Sequence, residues 1–272
     1  MTGLRASLRV GIVCPYSFDV PGGVQNHVLG LARYLREAGH RPSVLAPGQL
    51  GPATDGLDLE DFASVGAAVP VRYNGSVARV NFGPLSAARV TRWLHRGKFD
   101  VLHIHEPISP SISLLALRAA EQPVVATFHT ATPRSRSMQL AGGVLRAAIE
   151  KIDACIAVSE SARNVVVQHL GRDAVVIPNG IEFAAFARGR QMHDEPLGGS
   201  PSTSSGHMAD GSGRRGDHPK LIFVGRLDEP RKGLDVLLAA IPLIKKVHPD
   251  LEVIVAGRGS RQRGGRGGPR CR

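Results

Sequence analysis

The sequence has little cysteine and no long apolar segment. Its 272 residues include three cysteines, Cys14, Cys155 and Cys271. These are too few and too scattered for a disulfide framework, which fits a reducing compartment. No apolar run approaches the roughly 20 residues that a membrane-spanning helix needs, so we expect no such helix. A signal peptide is not expected either, because the N-terminus lacks a long apolar stretch behind a basic start.

The signature motifs of two large enzyme classes are also missing. The chain has no Gly-x-x-x-x-Gly-Lys-Ser/Thr loop, which cradles phosphates, and no Gly-x-Ser-x-Gly elbow, which presents a nucleophilic serine. The sequence therefore gives no support to a P-loop protein or to the common type of serine hydrolase.

The charge balance is basic, with a formal net charge of +11 from 34 Lys and Arg against 23 Asp and Glu. Such a balance fits an anionic membrane or a nucleic acid as partner. The segment Gly259–Arg272 holds five arginines and no acid, so the other 258 residues carry only +6. Because no aromatic residues lie between those arginines to stack on bases, we expect no nucleic-acid partner.

Apolar residues make up 42 % of the chain, which is enough to bury a core. Short apolar runs alternate with amphipathic segments, and this alternation predicts a doubly wound α/β sheet. The predicted strands are Leu8–Val13, Ser43–Ala46, Val101–His105, Val124–Phe128, Ala154–Val158 and Ala174–Ile177. The predicted helices are Val24–Ala38, Pro84–His95, Ser111–Ala120, Leu140–Lys151 and Ser159–Leu170. An Asn-Gly turn joins Val69–Val71 to Ser76–Phe82, and Gly48–Ser64 is predicted to be a loop.

The composition changes at Gly198–Asp217, which is rich in Gly, Ser and Pro and predicts a flexible linker or insertion. A second α/β unit follows, with strands at Leu221–Val224 and Leu251–Ala256 around a helix at Gly233–Val247. We therefore predict a Rossmann-like N-terminal domain over 1–186, a linker over 187–219, the start of a second Rossmann-like domain over 220–257, and a disordered Gly/Arg-rich tail over 258–272. This second domain is expected to be incomplete, because so few βα units do not bury both faces of a sheet.

Ligands of such sheets bind at the carboxyl ends of the strands, where three loops carry candidate residues. The loop 19–24 places Gly22 and Gly23 before a helix, which suits a close approach to phosphate, although an ordinary tight turn explains it equally well. His103 and His105 share one face of a strand. Because no further ligand cluster is evident, a structural or ligand-facing His–Glu pair is favoured over a metal site. His129 lies at the end of the next strand, where it is either a substrate contact or a structural histidine.

Two basic segments add further candidates. Arg226, Arg231 and Lys232 lie within seven residues just before a helix, where they fit a diphosphate clamp or a solvated charge cluster. The helix Pro84–His95 predicts either a surface for anionic lipid or a plain solvated face. Its basic and aromatic residues, with those that follow it, are Arg89, Arg92, Trp93, Arg96 and Lys98.

A series of segments, taken in order, is more specific than any single motif. They read VCPYSFDVPGGVQNHVLGLARYLREAGH, PVRYNGSVARVNFGP, FDVLHIHEP, VVATFHT, IAVSESAR, VIPNGIE and VGRLDEPRKG. Together they resemble the phosphatidyl-myo-inositol mannosyltransferases of actinobacteria, a group within the retaining glycosyltransferases of family 4, which have the two-domain GT-B fold. The resemblance covers Leu8 to Gly259 and is interrupted by Gly198–Asp217.

The resemblance implies an enzyme that moves mannose from GDP-mannose to the inositol ring of phosphatidylinositol, with retention at the anomeric carbon. It also implies a peripheral protein on an anionic membrane, at the cytoplasmic face, with no cofactor and no metal. Two alternatives remain open: a family-4 transferase with another acceptor, and a non-catalytic protein that binds lipid or nucleic acid.

The resemblance also implies roles for particular residues. His129 is the catalytic residue that orients the sugar, and Gly22, Gly23, Arg226 and Lys232 bind the donor. The acceptor-side residues are Tyr16, Gln25, Asn26, Tyr73 and Arg79. The residues expected to contact the membrane are Arg89, Arg92, Trp93 and Arg96.

The sequence departs from this family after Gly259. Family members continue through further strands to an acidic Glu-x7-Glu segment that touches the ribose and the transferred sugar, and nothing here matches it. We therefore expect a truncated donor domain, a tail that comes from a change of reading frame or from a sequencing error, and little or no transferase activity for the chain as written.

Overall fold

The computed structural model describes residues 7–51, 61–73, 76–129, 142–181, 183, 219–257 and 259. The chain divides into two compact units. The first comprises Met1–Arg72 and Val77–Glu195, and the second comprises Tyr73–Ser76 and Pro196–Arg272. None of the helices in the described ranges combines the length and the apolar character needed to cross a bilayer.

A seven-stranded parallel sheet forms the centre of the first unit. Its strands, in chain order, are β1 (Arg9–Val13), β2 (Arg41–Ala46), β3 (Phe62–Ser64), β6 (Val101–His105), β7 (Val124–Phe128), β8 (Ala154–Ala157) and β9 (Val175–Val176). They lie in the order β3-β2-β1-β6-β7-β8-β9. Two intervening strands, β4 (Val69–Tyr73) and β5 (Ser76–Val80), form a separate two-stranded sheet.

Among the described residues, five helices connect these strands: α1 (Gly23–Glu37), α2 (Pro84–Gly97), α3 (Ile112–Ala119), α4 (Gly142–Ile149) and α5 (Glu160–Leu170). Two begin at serine caps, which satisfy backbone N–H groups of the first turn. The Ser111 hydroxyl accepts from the N–H of Ser113, and the Ser159 hydroxyl accepts from that of Ala162. The last of these helices ends at Gly171, whose φ of +62° suits glycine.

The apolar runs of the strands are buried on both faces of the sheet. In β1, Val10 and Ile12 pack into one cluster together with Val28 of α1, whereas Val13 packs into a second cluster with Ile112 of α3. Burial of each such aliphatic side chain contributes roughly 1.5–3 kcal/mol. A parallel sheet covered on both faces is the doubly wound arrangement that the alternating pattern predicts, and that prediction is confirmed.

The two cysteines within the described ranges, Cys14 and Cys155, are free and buried. Burial raises the pKa of the Cys14 thiol to about 12. The thiol therefore stays protonated at neutral pH and packs as a small apolar side chain.

The order of the strands reverses between β1 and β6. The chain runs from β1 through α1 to β2 on one side, and then returns to place β6 on the other side of β1. The loops that leave β1 and β6 therefore diverge and leave a crevice at the carboxyl ends of these strands. Ligands of doubly wound sheets bind in this kind of crevice.

One prediction for this unit was wrong. The segment Gly48–Ser64 was expected to be a loop, but its end forms β3, in which Phe62 pairs with Val44 of β2. The strand is three residues long and lies in a polar context, so its own sequence carries little strand signal. Pairing with β2, together with an ion pair between Arg36 and Asp61, holds it at the edge of the sheet.

The second unit contains two parallel strands, β10 (Lys220–Val224) and β11 (Glu252–Ala256), and the helix α6 (Leu234–Ile244). A short 3₁₀ helix, Pro230–Lys232, precedes α6 and ends at Gly233 with a φ of +79°. A Cβ at Gly257 would collide with the carbonyl oxygen of Gly225, so the ends of the two strands lie very close together. The predicted linker Gly198–Asp217 and, except for Gly259, the predicted tail lie outside the described residues.

Candidate active site

Four histidines meet at the crevice where the strand order reverses. His103 and His105 belong to β6, and His129 directly follows β7. Because His105 pairs with Thr127 in the register of these neighbouring strands, His129 extends past the end of β6 beside His105. His27 reaches the same place from α1. We call His27, His103, His105 and His129 the histidine cluster.

The rings of the cluster are in direct contact. Nδ1 of His105 lies 2.9 Å from Nε2 of His129, which is a hydrogen bond. The rings of His103 and His105 stack with centroids 4.6 Å apart, and the His27 centroid lies 5.5 Å from that of His105 and 5.4 Å from that of His129. Nε2 of His103 is 2.7 Å from the hydroxyl of Thr127, which fixes that ring on the strand.

Burial keeps these histidines neutral. It lowers the pKa of His103 and of His129 to about 4, with smaller contributions from the neighbouring histidines. Burial also lowers the pKa of His105 well below its usual value and lowers that of His27. A neutral imidazole has one N–H donor and one nitrogen lone pair. The cluster can therefore offer hydrogen bonds and lone pairs at neutral pH without adding positive charge.

Glu106 links the ends of β6 and β7. Its backbone has a φ of +50°, in the left-handed region that a non-glycine residue rarely occupies. Its Oε1 accepts a 2.8 Å hydrogen bond from the backbone N–H of His129, and its own N–H donates to the carbonyl of Thr127, also over 2.8 Å. The buried carboxylate therefore fixes the backbone that carries His129.

The loop after β1 is held together by the side chain of Gln25. Its Nε2 donates to the carbonyls of Ser17 at 3.0 Å and Val20 at 3.3 Å. A Cβ at Gly22 would collide with Oε1 of the same side chain. This buried glutamine, predicted to bind the acceptor, thus shapes the loop that carries Gly22 and Gly23, where a Cβ on Gly23 would meet open space.

The other acceptor-side residues lie around this loop. Tyr16 is half-buried, and Asn26 and Arg79 are exposed. The backbone N–H of Ser17 donates to the carbonyl of Arg79 over 2.9 Å, which brings β5 against the loop. Tyr73 ends β4, but its side chain lies outside the described residues. Binding of an acceptor by this group stays a prediction.

Two of the four predicted membrane-contact residues on α2 make internal contacts. The guanidinium of Arg89 donates to the carbonyl of Val65 over 2.6 Å. The ring of Trp93 packs on that of Phe99, with centroids 4.4 Å apart, and its Nε1 donates to the hydroxyl of Ser43 over 3.2 Å. These contacts attach α2 to the sheet, and membrane contact through Arg89 and Trp93 remains a prediction.

The other two, Arg92 and Arg96, are exposed. Beside them lies a cavity of about 630 Å³. The charged residues that line it are Arg9, Arg41, Arg89, Arg92, Arg96 and Asp61. The excess of arginines makes this side of the first unit strongly basic.

In the second unit, Arg226 follows the end of β10 and Lys232 ends the 3₁₀ helix. Nε of Arg226 lies 3.4 Å from a carboxylate oxygen of Asp228 and 3.4 Å from one of Glu229. The backbone N–H of Lys232 donates to the carbonyl of Glu229 over 3.0 Å, which tightens the loop. Acidic neighbours thus already hold Arg226 at this loop, and donor binding by Arg226 and Lys232 stays a prediction.

Sequence reasoning missed one residue of the site. His27 lies in the first part of an amphipathic helix, and nothing in its spacing connects it with strands some eighty residues away. The HIHEP segment identified Glu106 as part of a structural or ligand-facing His–Glu pair, but it did not indicate that the carboxylate holds the backbone of His129. The sequence signal for Glu106 as a site residue was its position directly after a buried strand that ends in histidine.

Comparison with known proteins shows that this chain is similar to glycosyltransferases. The family model described as Glycosyltransferase Family 4 matches residues 21–184, and that of Glycosyl transferases group 1 matches residues 218–266. A protein of Propionibacterium freudenreichii subsp. shermanii, named phosphatidyl-myo-inositol mannosyltransferase, is 50% identical over 93% of this chain and 62% of its own length. One of the same name from Mycolicibacterium smegmatis is 51% identical over 93% of this chain and 59% of its own.

The chain thus spans about three fifths of the length of these relatives. Among solved structures, a glycosyltransferase from Rickettsia africae is similar with a TM-score of 0.52 and 15% identity, covering 93% of this chain and 69% of the other. At that identity the likeness concerns the fold alone.

Proposed function

Because the chain belongs to glycosyltransferase family 4, we propose that it transfers mannose from GDP-mannose to the inositol ring of phosphatidylinositol, with retention at the anomeric carbon. The observation that carries this proposal is the identity of 50% and 51% to two proteins named phosphatidyl-myo-inositol mannosyltransferase, over 93% of the chain. The donor, the acceptor and the stereochemistry are all part of the proposal.

The reaction makes two electrostatic demands on the protein. Negative charge builds on the departing diphosphate, and positive charge builds on the sugar ring as it becomes oxocarbenium-like. Arg226 and Lys232 are the cations proposed to stabilise the diphosphate. His129 is proposed to hold a sugar hydroxyl as a neutral imidazole, since its pKa of about 4 keeps it uncharged at neutral pH. A neutral ring suits this position because an imidazolium would repel the oxocarbenium-like centre.

Because the proposed acceptor is a lipid, the transfer takes place at a membrane surface. Phe82 and Leu85, just before and within the first turn of α2, are exposed apolar side chains, and Arg92 and Arg96 are exposed cations further along the helix. Apolar insertion combined with attraction to anionic lipid is how interfacial helices bind. These residues support a peripheral location on an anionic membrane, and the inner face of the plasma membrane is part of the proposal.

A transfer assay tests the proposal. The chain is incubated with GDP-mannose labelled in the sugar and vesicles of phosphatidylinositol, and labelled lipid is separated and counted. Unlabelled UDP-sugars compete for the donor site in one series, and soluble inositol phosphate competes for the acceptor site in another. We expect labelled lipid in small amount only, because little transferase activity is expected of the chain as written, and neither competitor should suppress it. Label found only in the soluble acceptor would favour a family-4 transferase with a different acceptor.

Sedimentation with vesicles tests the acceptor side without turnover. We expect the chain to bind vesicles that contain phosphatidylinositol more strongly than neutral ones, and the double variant Arg92→Ala, Arg96→Ala to bind them less. Lys245→Ala, Lys246→Ala is the matched control, since it removes two exposed lysines that follow α6 in the second unit. Equal loss in both variants would count against a membrane surface on α2.

A further inference from the structure

We propose that His27, His105 and His129 form a binding site for a divalent transition-metal ion of the Zn²⁺ class. One ring nitrogen from each of the three lies within 4.8 Å of one from each of the others. The ligands come from three separate elements, namely α1, the end of β6 and the residue after β7. Each element is fixed by the core, so the three rings converge without any loop having to fold around the ion.

The distance between two of the three rings is close to that of zinc coordination. Zinc binds imidazole nitrogen at roughly 2.0–2.1 Å, so two nitrogens on a tetrahedral ion lie about 3.3 Å apart. Nδ1 of His105 and Nε2 of His129 are already 2.9 Å apart. The adjustment therefore falls mainly on His27, whose half-buried side chain on a helix can move more readily than the two rings at the strand ends.

Two ring nitrogens of the site have no hydrogen-bond partner among the described residues. They are Nε2 of His105 and Nδ1 of His129, and both are buried. Since the two rings share one hydrogen bond through their other nitrogens, one orphan nitrogen carries a proton and the other a lone pair. With an ion bound between the rings, the proton of that hydrogen bond lies instead on the outer nitrogen of the ring that donated it, so both rings stay neutral.

Three histidine ligands leave the fourth position of a tetrahedral ion open to water or to an oxygen of a bound molecule. The ion would occupy His129, which the proposed function assigns to the sugar. We therefore expect Zn²⁺ to inhibit transfer, and this consequence alone rests on the proposed function. Binding of the metal is independent of any transferase activity.

Titration of the full chain with Zn²⁺ tests the site. The chain is first freed of metal with a chelator, and Zn²⁺ is then added in competition with a chromophoric chelator at pH 7. We expect one ion per chain whose affinity falls at least roughly 10-fold in His27→Gln, since the loss even of groups that orient metal ligands costs 10–100-fold. The matched control is His95→Gln, which changes an exposed histidine of α2 outside the cluster.

Cobalt gives a second readout that does not depend on affinity. Co²⁺ bound to the histidine site should show visible absorption typical of tetrahedral nitrogen ligands, and His129→Asn should abolish it. Circular dichroism checks that both variants fold. The proposal is overturned if the chain binds no Zn²⁺ at stoichiometric concentration, or if His27→Gln binds it as tightly as His95→Gln does. The second result would place the ion elsewhere on the chain.

Discussion

At the scale of single residues, Glu106 stands out because its backbone is strained and its side chain is buried. A non-glycine residue in the left-handed region costs roughly 1–2 kcal/mol, so surrounding contacts must hold it there. The hydrogen bonds of Glu106 to the backbone of His129 and Thr127 are such contacts. We infer that Glu106 is a positioning residue, which acts on a ligand through the placement of His129.

Replacing Glu106 separates this role from general stability. In Glu106→Ala the buried N–H of His129 loses its acceptor, which costs roughly 1–3 kcal/mol of unfolding free energy. Glu106→Gln keeps an oxygen at the same place and should cost clearly less. If His129 acts on the sugar, Glu106→Ala should also lower kcat by roughly 10-fold or more, with a smaller change in KM, and Glu106→Gln should recover most of it.

Urea unfolding and steady-state transfer measure the two effects. Equal unfolding free energies and equal kcat for the two variants would contradict a role of the carboxylate oxygen in holding His129.

Residue-level prediction from sequence succeeded where a side chain ends a buried strand. His105 and His129 were identified as candidates because apolar runs ended at them, and the structure brings the two together. His27 was not identified because its proximity depends on which strands become neighbours, which the helix itself does not encode. The structural role of Gln25 was also missed, because a polar residue in the first turn of a helix predicts exposure, whereas its amide here satisfies two backbone carbonyls.

At the scale of elements, α2 packs onto β1 at a point where only glycine fits. A Cβ at Gly11 would lie 2.7 Å from the side chain of Leu102, 2.8 Å from Phe99 and 2.9 Å from Trp93. Real Cβ atoms do not approach neighbours so closely, so the three side chains would have to shift. Gly11 therefore sets how closely α2 and its aromatic pair can approach the sheet.

We expect Gly11→Ala to lower the unfolding free energy by roughly 1–3 kcal/mol through overpacking. The matched control is Gly30→Ala in α1, where a Cβ meets nothing within 4 Å. That change should raise stability by roughly 0.5–1 kcal/mol, because alanine favours the helix and restricts the unfolded chain. Urea titration followed by circular dichroism compares the two. A Gly11→Ala chain as stable as the Gly30→Ala chain would contradict the packing of α2 on β1.

The bounds of strands were predicted accurately where both faces of the sheet are covered by helices. Strand β7 begins and ends as the sequence predicts, because a parallel strand buried on both faces is a near-continuous apolar run. Strand β6 also has its predicted bounds, although histidines occupy its third and fifth positions. The edge strand β3 was missed for the converse reason. It is short, only partly buried, and stabilised by pairing with β2 rather than by its own composition.

At the scale of the whole molecule, the strand–helix alternation was enough to predict the parallel sheet. It was not enough to predict the order of the strands. That order decides which loops meet at the crevice, and it follows from long-range packing of helices on the two faces. The histidine cluster was therefore predictable in its strand residues and unpredictable in its helix residue.

The two units differ in how much of their apolar surface is buried. In the first, side chains of β1 and β6 such as Ile12, Leu102 and Ile104 are fully buried. In the second, β10 and β11 leave large side chains exposed, with Ile222 at 61% and Val224 at 77%. Stability follows buried apolar area, and regions with little of it open more readily. The second unit should therefore open locally at a lower free energy than the first.

Hydrogen exchange followed by mass spectrometry measures this difference directly. Amides of β10 and β11 should exchange at least roughly 10-fold faster than those of β1 and β6, although both pairs are hydrogen-bonded parallel ladders. Gly11→Ala is the internal control, since a local effect on the first unit should speed exchange in β1 and leave β10 unchanged. Equal protection of all four strands would mean that the chain opens as a single cooperative unit, which would contradict the burial argument.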